Sequence, residues 1–212
     1  MIMRSLFTLI LVTVLIPALH AEALYTNDFQ KAELNSVPDD LMVIEGQFTV
    51  KDKDGNKFLE LPGAPLDSFT FLFGPRESTN IAVQARIFAT SKGRRFTVFD
   101  VGLGGLGGYK LRVAPAKKQI ELYRGDTLKT SAPLQWSTGK WTSLKLQIEK
   151  SDAGFTISGK LWQEGAEEPK EPSITFSDTE APPRERASVG AMPYSGDPVL
   201  FDDLIVSRLV AK

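Results

Sequence analysis

The chain has 212 residues, with 25 Lys and Arg against 26 Asp and Glu, and thirteen Phe. It contains one histidine, His20, and no cysteine. Near-balanced charge without a basic block excludes a nucleic-acid-binding surface of the usual kind, and the missing cysteines exclude disulfides. Once His20 is set aside, Ser-His-Asp and Cys-His catalysis and His/Cys zinc sites are excluded as well.

The first segment reads as an export signal over residues 1–23. Arg4 supplies the positive start, Leu6 to Ile16 is apolar apart from two threonines, and Pro17 ends the run. Ala21-Glu22-Ala23 then offers small residues for cleavage after Ala21 or Ala23. An apolar run of about 11 residues falls well short of the ~20 that span a bilayer, which disfavours a retained anchor. Without a cysteine at the cleavage position a bacterial lipid anchor is excluded. The expected product is a periplasmic or extracellular protein with no membrane span, held together by its core alone.

Residues 24–212 read as one β domain, large enough to bury about 70% of its unfolded surface. Strands are expected near 24–29, 41–50 and 57–61. Alternation at period two follows at Phe69, Phe71, Phe73 and at Ile81, Val83, Ala85, Ile87. Another strand is expected over 94–102, leading into Gly102-Leu103-Gly104-Gly105-Leu106-Gly107. That run matches a dinucleotide-binding GxGxxG, but such a site needs a helix next, and Tyr109-Lys110-Leu111-Arg112-Val113 alternates as a strand. The glycines are therefore expected to form a hairpin tip.

Tyr109, Leu111 and Val113 pair with a returning Ile120 and Leu122 across a turn at Pro115-Ala116. A two-residue loop sets Leu111 opposite Ile120, Arg112 opposite Gln119 and Lys110 opposite Glu121. Lys110, Arg112, Gln119, Glu121 and Tyr123 then share one face. It is either a solvated outer face with a cross-strand ion pair or the polar floor of a sugar-binding groove. Farther on, Leu144, Leu146, Ile148 and Phe155, Ile157, Gly159, Leu161 alternate, with strands also expected over 187–192 and 198–209. Turn signals such as Asp54-Gly55-Asn56, Gly125-Asp126 and Asp152-Ala153-Gly154 separate the strands. So many strands exceed an immunoglobulin-like domain and fit an all-β, two-sheet antiparallel jelly-roll sandwich.

Among the tryptophans, Trp141 reads as a core or strand-edge anchor. Trp162 lies on the polar Thr156-Ser158-Lys160 face, either as a stacking platform for a sugar or half-covered by the loop Glu164 to Pro172. Tyr109, Tyr123 and Arg95 complete the rim candidates. Glu45, Glu60, Asp100 and Glu121 are the acids available for glycoside hydrolysis, which needs only two carboxylates. No acidic cluster alternates along one strand face, and this disfavours catalysis.

Asn27-Asp28-Phe29 near the start, Phe201-Asp202-Asp203-Leu204-Ile205-Val206 near the end, Gly46-Gln47-Phe48-Thr49-Val50, and Gly139-Lys140-Trp141 before Leu144, Leu146 and Ile148 complete a pattern. Together these segments resemble secreted bacterial members of the concanavalin A-like lectin and glucanase superfamily, including laminin G-like domains. The resemblance covers residues 24–209. It implies a jelly roll of curved antiparallel sheets (first and last strands paired) whose concave sheet or rim binds a polysaccharide or glycan. It also implies, for some members, structural calcium near the chain ends and no required cofactor.

Asp28, Asp202 and Asp203 would approach one another if the terminal strands pair, and hard oxygen ligands suit Ca²⁺. Asp203 shares the period-two face of Val199, Phe201 and Ile205, so it is expected to be partly buried. It is satisfied either by a cation or by backbone N–H groups or an arginine. The functional expectation is binding without chemistry, with ligand contacts at Arg95, Tyr109, Arg112, Gln119, Glu121, Tyr123 and Trp162. The alternatives are a hydrolase or lyase of the same fold and a cell-envelope module that meets a protein partner. The paired-acid signature of the glucanase branch and the histidine motifs of jelly-roll alginate lyases are both missing.

Overall fold

A computed structural model describes residues 22–63 and 67–209. Of the export signal expected over residues 1–23, residues 1–21 lie outside the described residues, and Glu22 and Ala23 open the first strand. In chain order the strands are β1 (Glu22–Asn27), β2 (Met42–Glu45), β3 (Thr49–Lys53), β4 (Asn56–Leu61), β5 (Phe69–Glu77) and β6 (Ile81–Ala89). There follow β7 (Ser91–Lys92), β8 (Arg95–Phe96), β9 (Val98–Leu103), β10 (Tyr109–Ala114), β11 (Gln119–Arg124) and β12 (Thr127–Pro133). The last are β13 (Lys140–Ser151), β14 (Gly154–Gln163), β15 (Ile174–Asp178), β16 (Glu185–Met192) and β17 (Val199–Arg208). One 3₁₀ turn, Pro115–Lys117, joins β10 to β11. No helix of the described residues is long and apolar enough to cross a membrane.

Two antiparallel sheets pack face to face. The back sheet runs β15-β14-β13-β6-β17-β4-β3, with β1 also paired to β17. The front sheet runs β12-β11-β10-β9-β16-β5-β2, and β7-β8 form a separate hairpin. Alternation explains the packing. Val83, Ala85 and Ile87 of β6 and Leu144, Leu146 and Ile148 of β13 are fully buried against Val101, Leu111 and Val113 of the front sheet. Phe48, Phe71 and Phe201 meet at centroid distances of 5.0–5.9 Å and staple the two sheets. Truncating such a ring to alanine costs about 3–5 kcal/mol.

Several expectations need correction. Segment 41–50 is two strands in different sheets, because Gly46 takes φ +116° between them. A Cβ there would stand 3.0 Å from the rings of Phe48 and Phe69, so only glycine allows the crossover. Segment 94–102 likewise divides, into β8 and β9. The Pro115-Ala116 turn is longer than two residues. Its 3₁₀ turn ends on Lys118, in the left-handed region at φ +54°, and pairs Arg112 with Glu121 and Lys110 with Tyr123. That register differs from the expected one by two residues, an even number, so each side chain keeps its expected face.

The first and last strands do pair, with Thr26 opposite Ile205 and Asn27 opposite Leu204. The phase of β17 differs from a plain alternation. A bulge between Asp202 and Ile205 places Asp203 at φ +49° and shifts the inward set from Val199 and Phe201 to Leu204 and Val206. Asp202 is consequently the buried acid, at 1% exposure, while Asp203 is partly buried, as expected.

Candidate functional site

Strand order brings distant residues into one line across the outward face of the front sheet. Ser131, Glu121, Arg112, Asp100, Gly190, Thr70 and Glu45 are successive register partners from β12 to β2. The adjacent line contains Tyr123, Lys110, Gly102, Ser188, Leu72 and Met42. These side chains point away from the core, yet Asp100 and Ser188 are buried and Glu121 is only 1% exposed. Outward-facing polar groups without a covering layer are hidden only where neighbouring side chains wall them in.

The walls are ionic. Arg112 donates from Nε and Nη2 to one oxygen of Asp100, at 3.0 and 2.9 Å. Its guanidinium carbon also lies 4.9 Å from the centre of the Tyr123 ring. The Tyr123 hydroxyl donates to Glu121 Oε2 at 3.0 Å, and Lys117 donates to Glu121 Oε1 at 2.8 Å. Burial disfavours the charge on Arg112, but Asp100 outweighs it and raises the guanidinium's affinity for its proton. The network holds the Arg112 fork in one orientation before any ligand arrives.

Beside this network the sheet floor is nearly bare. Gly190 and Ser188 leave room for a groove of about 250 Å³, which Phe69, Met192 and Leu106 also line. Bareness is required at Gly190, where a Cβ would stand 2.8 Å from Asp100 Oδ1 and 3.1 Å from the Thr70 hydroxyl. Asp100 Oδ1 has no hydrogen-bond partner among the described side chains, because Arg112 uses only Oδ2. Leu106 is 52% exposed at the tip of the glycine-rich turn, where Gly104 and Gly105 both have positive φ. That turn joins β9 to β10, as its strand-like flanks require, and no helix follows it.

The other expected contact residues scatter. Gln119 stands on the same outward face, opposite Ala114 in the next line. Tyr109 does not reach the rim: it faces inward and is fully buried. Its hydroxyl donates to Asp178 at 2.5 Å, and Arg124 donates to the same carboxylate at 2.9 Å. This link ties β10 and β11 of the front sheet to β15 of the back sheet. Burial, then the bond to Asp178, pushes the Tyr109 pKa upward, and the Tyr109 bond is the main reason that Asp178 falls to about 2.

Trp162 lies opposite Ser143 on the outward face of the back sheet, across the sandwich from Arg112. Glu168, from the loop that follows, is held beside it by Lys145 and Lys160 at 3.1 and 3.0 Å. Arg95 belongs to the β7–β8 hairpin. Missing from the expected set were Ser188, Thr70 and Gly190, whose small outward side chains carry no chemical signature in sequence. Asp100 was visible only as an unplaced acid.

At the chain ends the acids do not converge on a metal geometry. Asp202 Oδ2 accepts from Arg86 Nη2 at 2.8 Å and from Asn56 at 3.1 Å, while its Oδ1 accepts the Asp203 N–H at 2.8 Å. Arg86 Nε lies 2.9 Å from Asp203 Oδ2, although the N–H is not aligned to donate. Burial and the neighbouring Asp202 push the Asp203 pKa upward, against the pull of Arg86. A guanidinium thus neutralises this pair of acids. No cluster of three metal-ligating His, Cys, Asp or Glu side chains occurs among the described residues. Asp28 lines one opening together with Asp203, and Arg86 is the positive charge that Asp202 and Asp203 face.

No protein-family model and no curated protein sequence matches the chain. Solved structures do. The VIP36 exoplasmic/lumenal domain, in a Ca²⁺/Man3GlcNAc-bound form, aligns with TM-score 0.60 and 8% identity over 84% of this chain and 86% of that one. A Bacillus subtilis protein of unknown function with a galectin-like fold aligns with TM-score 0.59 and 13% identity, over 90% and 98%. The catalytic domain of a glycoside hydrolase family 131 protein from Coprinopsis cinerea aligns with TM-score 0.57 and 9% identity, over 91% and 99%. At such identities the likeness speaks for architecture alone. The chain is an all-β, two-sheet antiparallel sandwich of the lectin-like jelly-roll kind.

Proposed function

We propose that the chain is an exported, non-catalytic carbohydrate-binding protein whose ligand lies across the outward face of the front sheet. The observation that carries this reading is the line Glu121–Arg112–Asp100–Gly190–Thr70, a pre-ordered donor fork beside a free carboxylate oxygen on a bare floor. Vicinal sugar hydroxyls suit a guanidinium N–H and a carboxylate oxygen at fixed separation. Phe69, Met192 and Leu106 in the groove lining supply apolar surface for the C–H faces of sugar rings. Tyr123 serves as a positioning residue, since the Arg112 guanidinium covers one face of its ring. The lectin-like architecture supports the same ligand class, as does the Arg4-to-Ala23 signal for export to a periplasm or the extracellular space.

A glycan array with the purified protein tests this reading. Specific, saturable binding should fall about tenfold to a hundredfold in Arg112→Ala, as expected when a charge-assisted hydrogen bond is removed. A blank array, or binding that Arg112→Ala leaves intact, sinks the reading.

A second reading, hydrolysis, draws support from Glu45, Asp100 and Glu121 standing in one transverse line. Asp100 and Glu121 are two strand spacings apart, about 10 Å between backbones. Glycoside hydrolysis needs one carboxyl kept protonated, however, and each of these has a resident cation, Arg112 or Lys117. Reducing-end release from a polysaccharide panel, lost in Asp100→Asn, would move the assignment to a hydrolase. Blank results in both screens, with one envelope protein recovered in pull-downs, would favour the interaction module instead.

A further inference from the structure

At the end of the sandwich beyond the 3₁₀ turn lies a second cleft, of about 760 Å³. Phe96 and Trp136 line it with rings, and Ser91, Gln135, Ser137 and Thr138 with hydroxyl and amide groups. The cleft is built in advance. Trp136 donates from Nε1 to the Thr142 hydroxyl at 3.0 Å and packs on the core ring of Phe99 at 5.9 Å. The Thr138 hydroxyl accepts the Ser91 N–H at 2.7 Å, and Gln163 grips Ser137 through two bonds of 3.0 and 2.8 Å. The indole is therefore held half-buried against the cleft without any ligand.

The segments that build this cleft are basic. Segments 89–97, 114–119 and 133–140 contain Lys92, Arg94, Arg95, Lys117, Lys118 and Lys140 and no Asp or Glu. Lys117 is used by Glu121, and Asp197 accepts the Thr90 hydroxyl at 2.8 Å. Strand β8, which carries Arg95 next to the lining residue Phe96, packs against the 3₁₀ turn that ends on Lys118. Lys118 is unusual in its backbone too. It holds the left-handed conformation, where glycine or asparagine costs less. Its N–H is bound to Pro115 O at 3.0 Å, and its carbonyl accepts Leu134 N–H at 2.8 Å. The main chain is pinned at the cleft mouth while the ammonium group stays in solvent.

We propose that this cleft is a second binding site, separate from the groove of the front sheet, and that it takes an acidic saccharide of the uronate class. A ring stacks on Trp136 and Phe96, its hydroxyls meet the Ser, Thr and Gln groups, and its carboxylates meet Lys118 and Arg95. Among the described residues Lys118 is the cation in the cleft lining, and the other five lie on the short segments that build it. This favours a compact charged sugar over a nucleic-acid backbone.

The test uses ¹⁵N-labelled protein titrated with oligogalacturonate, its methyl ester and a single-stranded DNA oligomer. The three tryptophans give three indole N–H signals, and oligogalacturonate should move that of Trp136 saturably while Trp141 and Trp162 stay still. Lys118→Glu combined with Arg95→Glu should weaken binding by about tenfold or more. Lys118→Gly should weaken it too, yet raise the melting temperature by relieving the left-handed residue. The methyl ester should not bind. A stationary Trp136 signal, equal binding of the ester or the DNA, or indifference to the charge reversal overturns the proposal. If the uronate instead moves backbone signals of Arg112 and Asp100 alone, the second site fails while carbohydrate binding by the front groove stands.

Discussion

Asp100–Arg112–Tyr123 on the front sheet and Asp202–Arg86–Trp141 on the back sheet are built from the same parts. Each has a buried carboxylate on an outward face, held by an arginine at 2.8–3.0 Å. Each arginine lies over an aromatic ring, at 4.9 Å from Tyr123 and 4.8 Å from Trp141. What differs is the surroundings. Both oxygens of Asp202 are occupied, and Phe58 and Phe88 pack beside Trp141. Asp100 keeps one oxygen over the bare floor at Gly190. The first arrangement plugs the bulge where β17 changes partners; the second leaves a polar group facing a groove. An ion pair seals or offers a site according to the size of its neighbours.

The largest expected effect separates the two. Arg86→Ala strands Asp202 in the interior and should cost about 3–5 kcal/mol in urea unfolding. Arg112→Ala should cost only about 1 kcal/mol, because water from the groove can reach Asp100, while glycan binding falls about tenfold to a hundredfold. Equal stability losses would break the comparison. Gly190→Ala should act more mildly than Arg112→Ala, displacing Asp100 and weakening glycan binding with the melting temperature little changed. A variant that binds as the parent does would show that the bare floor is unimportant.

A third pair of the kind, Asp178–Arg124 beside Tyr109, clasps the edges of both sheets. Its carboxyl is lowered from an ordinary 3.8 to about 2, so its contribution is present above pH 4 and lost as the pH falls towards 2. Asp178→Asn should flatten that acid limb of the stability curve. An unchanged limb would mean that the clasp does not stabilise the fold. The smallest effect is expected from EDTA: with Arg86 on the chain-end acids, the melting temperature should not move. A fall would restore a metal to that end.

Much of the front face was legible in the β10–β11 hairpin. Arg112, Glu121 and Tyr123 share a side whatever the turn length, provided that it changes by an even number. Tyr109 was misassigned for a different reason. A tyrosine at an inward position looks like a rim aromatic until the partner of its hydroxyl, Asp178, arrives from a strand nearly seventy residues away. The Asp202 bulge was equally invisible, because an inserted residue leaves an unremarkable sequence while inverting every face after it.

Sequence alone determined most of the positions that alternate inward and that residues 24–212 hold no histidine or cysteine. Period two and composition are local properties. Tertiary structure decided that residue 100 stands between residues 112 and 190, and that residue 70 follows. Strand order is fixed by how the two sheets jointly bury their inward faces, which no single strand encodes. The groove is a consequence of that order.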